Sequence, residues 1–145
     1  MKLQILFQRL ICIIVLILVF SSCSSPAPTA SIKTAEGDLV IKDIQLTDRF
    51  PPGCTSDIPG CSLAEPGHQV LLIWLELKDA SDPSAFSMSD LSEGAYVTAS
   101  DGSRAESFST GWTRDEGQFV AFAITSTAGE ITLHWPGNPP ISLEK

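Results

Sequence analysis

Short runs in which apolar and polar positions alternate are the clearest pattern along this chain. The strongest run covers residues 70–78, where every second side chain is a large aliphatic one, so that one face of a strand would be apolar. The residues of that face are Leu71, Ile73, Leu75 and Leu77. The opposite face would carry Trp74, Glu76 and Lys78. This run predicts the central strand of the fold.

Six other runs predict further strands, and turn signals separate them. Asp101 and Gly102 stand between two of these runs and predict a tight hairpin, because both residue types tolerate a positive φ. Residues 39–47 have apolar side chains on both parities, which indicates a bulge or two covered faces. Residues 119–124 are apolar on both faces. The predicted strands cover residues 39–47, 96–99, 104–108, 119–124, 131–135 and 141–143.

The number and spacing of these runs predict the fold class. About seven short strands, with a turn signal roughly every ten residues, favour two packed antiparallel sheets. No sustained helical period interrupts them. We therefore expect an all-β fold, an antiparallel β-sandwich of about seven strands.

Two cysteines stand in a segment, residues 49–68, that is rich in proline and glycine. These residues exclude a helix or a central strand there. Cys54 and Cys61 would form a disulfide in an oxidising compartment, and loop entropy gives so small a ring about 2.5 kcal/mol of stabilisation. Long loops in compact domains are often functional. The loop is therefore a candidate contact surface, and the alternative is that the disulfide only stabilises the loop.

The first 22 residues have the layout of a cleavable export signal. Lys2 and Arg9 precede an apolar run of eleven residues at positions 10–20, whereas a permanent membrane span needs about 20. The tetrapeptide Phe20-Ser21-Ser22-Cys23 resembles the lipobox of bacterial lipoproteins, although Phe20 stands where leucine is usual. The resemblance implies cleavage before Cys23 and attachment of diacylglycerol and a fatty acid such as palmitate to that residue. The alternative is an ordinary secretory signal followed by a chance cysteine.

These features predict three segments. Residues 1–22 are the lipoprotein signal peptide, residues 23–36 a lipidated N-terminus and flexible stalk, and residues 37–145 the β-domain. The stalk is predicted because prolines among small polar residues bury too little apolar surface to offset chain ordering. Export would place the domain in the bacterial cell envelope, anchored to a membrane and facing the periplasm or the exterior.

Charge limits the partners of such a domain. The whole chain has a formal net charge of −8, and cleavage would remove Lys2 and Arg9. Seven basic and seventeen acidic side chains would remain, with a formal charge of −10. A surface of that sign repels nucleic acid. We therefore expect no nucleic-acid partner.

The order of the predicted elements is similar to that of a known domain. It resembles the telokin-like, immunoglobulin-like domain of unknown function found in many bacterial lipoproteins, over about residues 39–143. The resemblance implies an immunoglobulin-like sandwich in the envelope and no catalytic residues, with the disulfide loop as an addition. It rests on Val40, residues 72–78, Phe86 and Met88 before Tyr96, Asp101-Gly102-Ser103, residues 117–122 and residues 131–135.

Motifs for catalysis and metal binding are missing from the sequence. His68 lies in the proline-rich segment, and His134 lies in a predicted strand, where a lone histidine is usually a surface or hydrogen-bonded residue. A zinc site built from Cys54, Cys61 and the two histidines would lack the C-x-x-C spacing of such sites. We therefore expect no catalytic residue, no metal ion and no cofactor.

Two classes of function fit these observations. The first is a non-catalytic envelope module that binds a protein or glycan partner, with Trp112 and the Cys54–Cys61 loop as candidate contacts. The second is an envelope hydrolase or a protease inhibitor, which a concave pocket holding serine, histidine and aspartate would favour. A structural spacer without a specific ligand is a third hypothesis.

Overall fold

The strands of this protein pair into one curled antiparallel sheet and a separate hairpin. The computed structural model describes residues 30–55, 59–78, 87–115 and 117–143. The elements of this part are β1 (Ser31–Lys33), β2 (Asp38–Thr47), β3 (Arg49–Phe50), β4 (Ser62–Leu63), β5 (His68–Lys78), α1 (Met88–Leu91), β6 (Tyr96–Ala99), β7 (Arg104–Thr113), β8 (Gly117–Thr125), β9 (Ile131–His134) and β10 (Ile141–Leu143). Eight strands form a half-barrel in the order β1-β2-β5-β8-β7-β6-β9-β10, and β3 pairs with β4.

The predicted all-β antiparallel architecture is confirmed, and each predicted strand is present, although the strand predicted to end at Phe108 continues to Thr113. The immunoglobulin-like sandwich of about seven strands is not confirmed, because the strands form one continuous sheet of eight. Strand β7 accounts for the difference. Its residues 104–106 pair with β6, its residues 107–113 pair with β8, and the register shifts at Phe108. A bulge of this kind bends a strand, so β7 joins two halves of the sheet that would otherwise be separate layers.

The inner face of the curled sheet holds the main hydrophobic core. Side chains from both halves meet there and are almost completely buried. Burial of each large aliphatic side chain contributes roughly 1.5 to 3 kcal/mol. The predicted aliphatic face of β5 supplies three of these residues. Core residues on β5, β6, β8 and β9 include Leu71, Ile73, Leu75, Val97, Val120, Phe122, Ile131 and Leu133.

The middle of the outer face of β5 and β8 is buried as well. Val70, Leu72 and Trp74 of β5 pack there with Phe119 and Ala121 of β8. Phe50 is the last residue of β3 and Ala64 directly follows β4. Both side chains pack against this second cluster. The sequence analysis placed Trp74, Glu76 and Lys78 together on this face. Glu76 and Lys78 are exposed, whereas Trp74 is buried. The doubly apolar character predicted for residues 119–124 is confirmed.

Strand β1 lies within residues 23–36, which the sequence analysis assigned to the stalk. Ser31 pairs with Val40 of β2, and the Ile32 side chain is fully buried in the main core. The stalk prediction is therefore wrong from residue 30 onward. A three-residue strand with one apolar side chain has no periodicity to detect, and its position is decided by the free edge of β2. The signal segment, Cys23, residues 23–29 and Phe86 lie outside the described residues.

The predicted Asp101-Gly102 turn is confirmed, with Gly102 at φ 84°. The Asp101 carboxylate accepts hydrogen bonds from the hydroxyl and the backbone N–H of Ser103 and from the Thr125 hydroxyl, the last two at 2.8 Å. These bonds lower the pKa of Asp101 below its ordinary value, with those from Ser103 as the main cause. They also attach the β6–β7 turn to the end of β8.

Ile32→Ala tests whether β1 belongs to the domain. We expect this change to lower the free energy of unfolding by about 2 to 5 kcal/mol, because it leaves a cavity in a closely packed core. Urea denaturation of the purified protein measures the change. The matched control is Ala35→Ser at an exposed position, and equal stability of the two variants would contradict the placement of β1 in the core.

Asp101→Asn tests the turn through its pH dependence. The folded-state pKa of Asp101 is lowered, so its contribution is present above the unfolded-state pKa and is lost as the pH falls through the folded-state pKa. Wild type should therefore be more stable than Asp101→Asn at neutral pH, and the difference should shrink in acid. Urea midpoints from neutral pH to about pH 2 measure it, and a difference that does not change with pH would contradict the assignment.

Candidate functional site: an aromatic groove on the outer face

A row of four aromatic side chains crosses the outer face from the interior to the surface. The Trp74 ring contacts Phe119 with centroids 5.2 Å apart, and Phe119 contacts Phe50 at 6.0 Å. Phe50 then contacts Phe108 at 5.2 Å. All three pairs have edge-to-face geometry, which adds a favourable electrostatic contact to the burial of apolar surface. Trp74 is 1% exposed and Phe108 is 50% exposed, so the row ends in solvent.

Gly111 makes room for this row. It lies opposite Phe119 in the pairing of β7 with β8. A Cβ atom at position 111 would lie 2.6 Å from the Phe119 ring, closer than side chains tolerate. The absence of a side chain at Gly111 therefore allows the Phe119 ring to lie over the strand and to contact Trp74 and Phe50.

An open groove of about 490 Å³ begins where the aromatic row reaches the surface. Its volume falls within the range of sites for small ligands. Leu63 on its wall is 67% exposed. Polar groups line only part of the groove. The lining residues are Phe50, Ser62, Leu63, Ala64, Glu65, His68, Gln69, Val70, Phe108 and Ala123.

The predicted disulfide is present and lies next to the groove. Cys54 and Cys61 are bonded, with their Cα atoms 5.6 Å apart. The bridge closes the loop between β3 and β4, whose strands carry Phe50, Ser62 and Leu63 of the groove wall. The backbone N–H of Cys54 donates to the Pro51 carbonyl at 3.2 Å and tightens the start of the loop. The β3–β4 hairpin therefore covers the second cluster and also forms part of the groove wall.

Trp112, the other predicted contact, does not belong to the groove. It lies in strand β7 and not in a loop, pairs with Gln118 and is 65% exposed. Phe108 lies four residues earlier in the same strand, at the bulge beside the groove. The structure thus separates Trp112 from the loop with which the sequence analysis grouped it.

The two histidines have different environments. His134 stacks on Tyr96, with centroids 4.4 Å apart and planes 6° apart, and its Nε2 lies 2.9 Å from the Thr98 hydroxyl. Arg104 covers the Tyr96 ring, with its Cζ 3.7 Å from the centroid. His134 is therefore held in a packed polar stack. His68 is exposed and lines the groove.

The groove also contains a serine and a carboxylate beside a histidine, namely Ser62, Glu65 and His68. In the part of the chain that the structure describes, no hydrogen bond joins these three side chains. The same residues include no group of histidine, cysteine, aspartate and glutamate placed to hold a metal ion. Among them, no helix has the length and apolar character needed to cross a bilayer.

Comparison with known proteins adds no assignment. No protein family, no curated protein and no solved structure matches this chain.

Sequence reasoning named the segment of residues 49–68 as a candidate contact surface but did not single out the apolar residues that form the groove. Phe50, Leu63 and Phe108 are distant in sequence and belong to no common motif. Phe50 and Leu63 stand in the proline-rich segment, which was interpreted as a loop. The only signal in the sequence is that large apolar residues occur in a segment that is otherwise polar and rich in breakers.

A double Cys54→Ser, Cys61→Ser variant tests the role of the disulfide. We expect the free energy of unfolding to fall by about 2.5 kcal/mol, because the unfolded chain regains loop entropy. Urea denaturation measures this change. Wild type with a reductant is the matched control and should behave like the variant. Equal stability of oxidised and reduced wild type would contradict the expected stabilisation.

Proposed function

We propose that this chain is a lipid-anchored protein of the bacterial cell envelope whose β-domain is a non-catalytic binding module. The groove on its outer face is the proposed binding site, and it takes an apolar group of the partner. The domain would face the periplasm or the exterior, held to a membrane through a lipidated Cys23. The proposal includes no nucleic-acid partner, because the negative charge of the domain repels nucleic acid.

The observation that carries the binding proposal is the exposure of Leu63 and Phe108 on the rim of one groove. Contiguous apolar surface of this kind marks sites of interaction with proteins, membranes or small ligands. Phe50 of the aromatic row lines the groove, and the buried Phe119 and Trp74 rings pack in sequence behind it. The apolar side chains of the lining, which include Phe50, Leu63 and Phe108, suit an aliphatic or aromatic group of the partner.

The anchor proposal rests on the lipobox resemblance of residues 20–23. Residues 23–29 separate Cys23 from Ala30, where the described chain begins. The resemblance to the telokin-like, immunoglobulin-like domain also stays a proposal. It rests on the sequence pattern alone, and the continuous bend through β7 is a difference from two separate sheets.

An envelope hydrolase is the second candidate, because Ser62, Glu65 and His68 share the groove. Serine hydrolases activate the nucleophile through a histidine that is itself oriented by a carboxylate. Here the three side chains lack the hydrogen bonds of such a relay. That observation supports the non-catalytic proposal over the hydrolase.

The proposed function is tested by two measurements on the full-length protein. Labelled palmitate should be incorporated into wild type and not into Cys23→Ser, because the acyl chains depend on that residue. The uncharged dye Nile red should fluoresce strongly with wild type and weakly with a double Leu63→Ser, Phe108→Ser variant, because the change removes the apolar rim.

Trp112→Ser is the matched control for the dye measurement, since it removes an equally exposed apolar side chain outside the groove. Dye binding that depends on Trp112 and not on Leu63 and Phe108 would contradict the groove as the site. Covalent labelling of Ser62 by a fluorophosphonate would contradict the non-catalytic proposal and would support the hydrolase.

A further inference from the structure

One wall of the groove is the free edge of a strand. Four consecutive residues line the groove on this side, namely Ser62 and Leu63 of β4 followed by Ala64 and Glu65. Successive side chains of a strand point to opposite faces. A groove on one face of the hairpin would therefore contact only every second residue, whereas a groove lined by residues of both parities runs along the edge of the strand.

The backbone of Leu63 is directed toward this edge. The N–H of Ala64 donates to the carbonyl of Asp48 at 2.7 Å, and Leu63 pairs with Arg49. Hydrogen bonds of an antiparallel pair alternate along each strand, so a residue next to a bonded pair directs its N–H and C=O away from the partner strand. The N–H and C=O of Leu63 therefore point away from β3. In the described part of the chain, β4 has no second partner strand.

Apolar side chains lie beneath this free edge. The hairpin packs its Phe50 face against the outer cluster of the main sheet. A strand added beside β4 would continue the hairpin, so every second side chain of that strand would point toward the main sheet. There the groove is lined by Val70, Phe108 and Ala123. The groove can therefore take an apolar side chain from an added strand.

The chain beyond β4 limits how long an added strand can be. After Glu65 the chain turns away at Pro66, and the carbonyl of Glu65 accepts a hydrogen bond from the N–H of His68 at 2.9 Å. Proline has no N–H to offer to a ladder. The four residues from Ser62 to Glu65 span about 13 Å of strand. A short extended segment fits this edge, whereas a long strand does not.

The charges around the groove favour a basic occupant. Glu65 is exposed at the groove and has no ion-pair partner among the described residues. The sequence has no lysine or arginine between Arg49 and Lys78, and the Nε of Arg49 lies 3.9 Å from a carboxylate oxygen of Asp48. A cation on the partner would complement the Glu65 carboxylate. A second copy of this chain, with its net charge of −8, would bring like charges together.

We propose that the groove binds a short, extended, basic peptide segment of a partner protein, which adds to the free edge of β4 as a further strand of the hairpin. This inference rests on the groove of the proposed function and names the class of its partner. Leu63 exchanges backbone hydrogen bonds with the peptide, an apolar side chain of the peptide enters the groove, and a neighbouring lysine or arginine pairs with Glu65. In this mode of recognition the backbone bonds give affinity and the side-chain contacts give specificity.

The first test measures affinity with the full-length protein. The probe is a fluorescently labelled peptide, Thr-Lys-Phe-Lys-Val-Lys-Thr with both ends capped, and its anisotropy reports binding. A peptide with glutamate in place of each lysine should bind several-fold more weakly. Glu65→Gln should weaken binding of the lysine peptide about two- to fivefold, the range of one exposed ion pair. The matched control is Glu36→Gln, which removes the same charge at an exposed position outside the groove and should leave the affinity unchanged.

The second test measures strand addition directly. Amide hydrogen exchange of the full-length protein is followed by NMR with and without the lysine peptide. We expect exchange of the Leu63 N–H to slow several-fold when the peptide is bound, because that N–H then donates to a peptide carbonyl. Exchange of the Ser31 N–H, on the edge strand β1, should not change.

The contrary outcomes separate this inference from the proposed function. Failure of the lysine peptide to bind, or binding without slower exchange at Leu63, overturns the inference. If Nile red binding still depends on Leu63 and Phe108, the groove of the proposed function stands; if it does not, both are overturned. Equal affinity for the lysine and glutamate peptides overturns the basic partner. Slower exchange at Leu63 without peptide, rising with protein concentration, reveals a second copy along β4 and also overturns the inference.

Discussion

The pairing of β5 with β8 is the constraint on which the rest of this structure depends. Both strands are apolar on both faces, so the pair is stable in water only if each face is covered. The inner face is covered because the sheet curls over it and brings β6 and β9 into the same core. The outer face is covered by the β3–β4 hairpin, through Phe50 and Ala64. The bulge in β7 and the disulfide loop are the local features that provide these two covers.

The β3–β4 hairpin that covers the outer face is short, and the candidate site exists because part of that face remains uncovered. Two strands of two residues each cannot span the outer face of β5, β8 and β7. Trp74 and Phe119 are buried beneath the hairpin, whereas Phe108 and Leu63 remain exposed at its margin. The same aromatic contacts that stabilise the outer face therefore end in an apolar surface. Stability and the proposed binding site share one set of side chains, and Gly111 supports both because it admits the Phe119 ring.

The first strand lies between the rest of the folded sheet and the segment that carries the proposed anchor. Because Ile32 is buried in the core, the chain is fixed to the sheet from β1 onward, and little length remains between Ala30 and Cys23. The polar stack of Arg104, Tyr96 and His134 lies on the other half of the sheet and has packing as its evident role.

Much of the fold was predictable from the sequence, because alternation of apolar residues and turn chemistry are local properties. The strand at residues 70–78, the Asp101-Gly102 turn and the Cys54–Cys61 pair belong to this class. The curl of the sheet, the burial of Trp74 and the groove were not predictable, because they depend on contacts between residues distant in the chain. No local pattern places Phe50 over Phe119, or Phe108 beside Leu63. The sequence by itself determined the seven strands with a local apolar pattern and the pairing of the cysteines. Only tertiary packing decided the places of β1, β3 and β4 and which apolar side chains are buried, because these depend on contacts between distant parts of the chain.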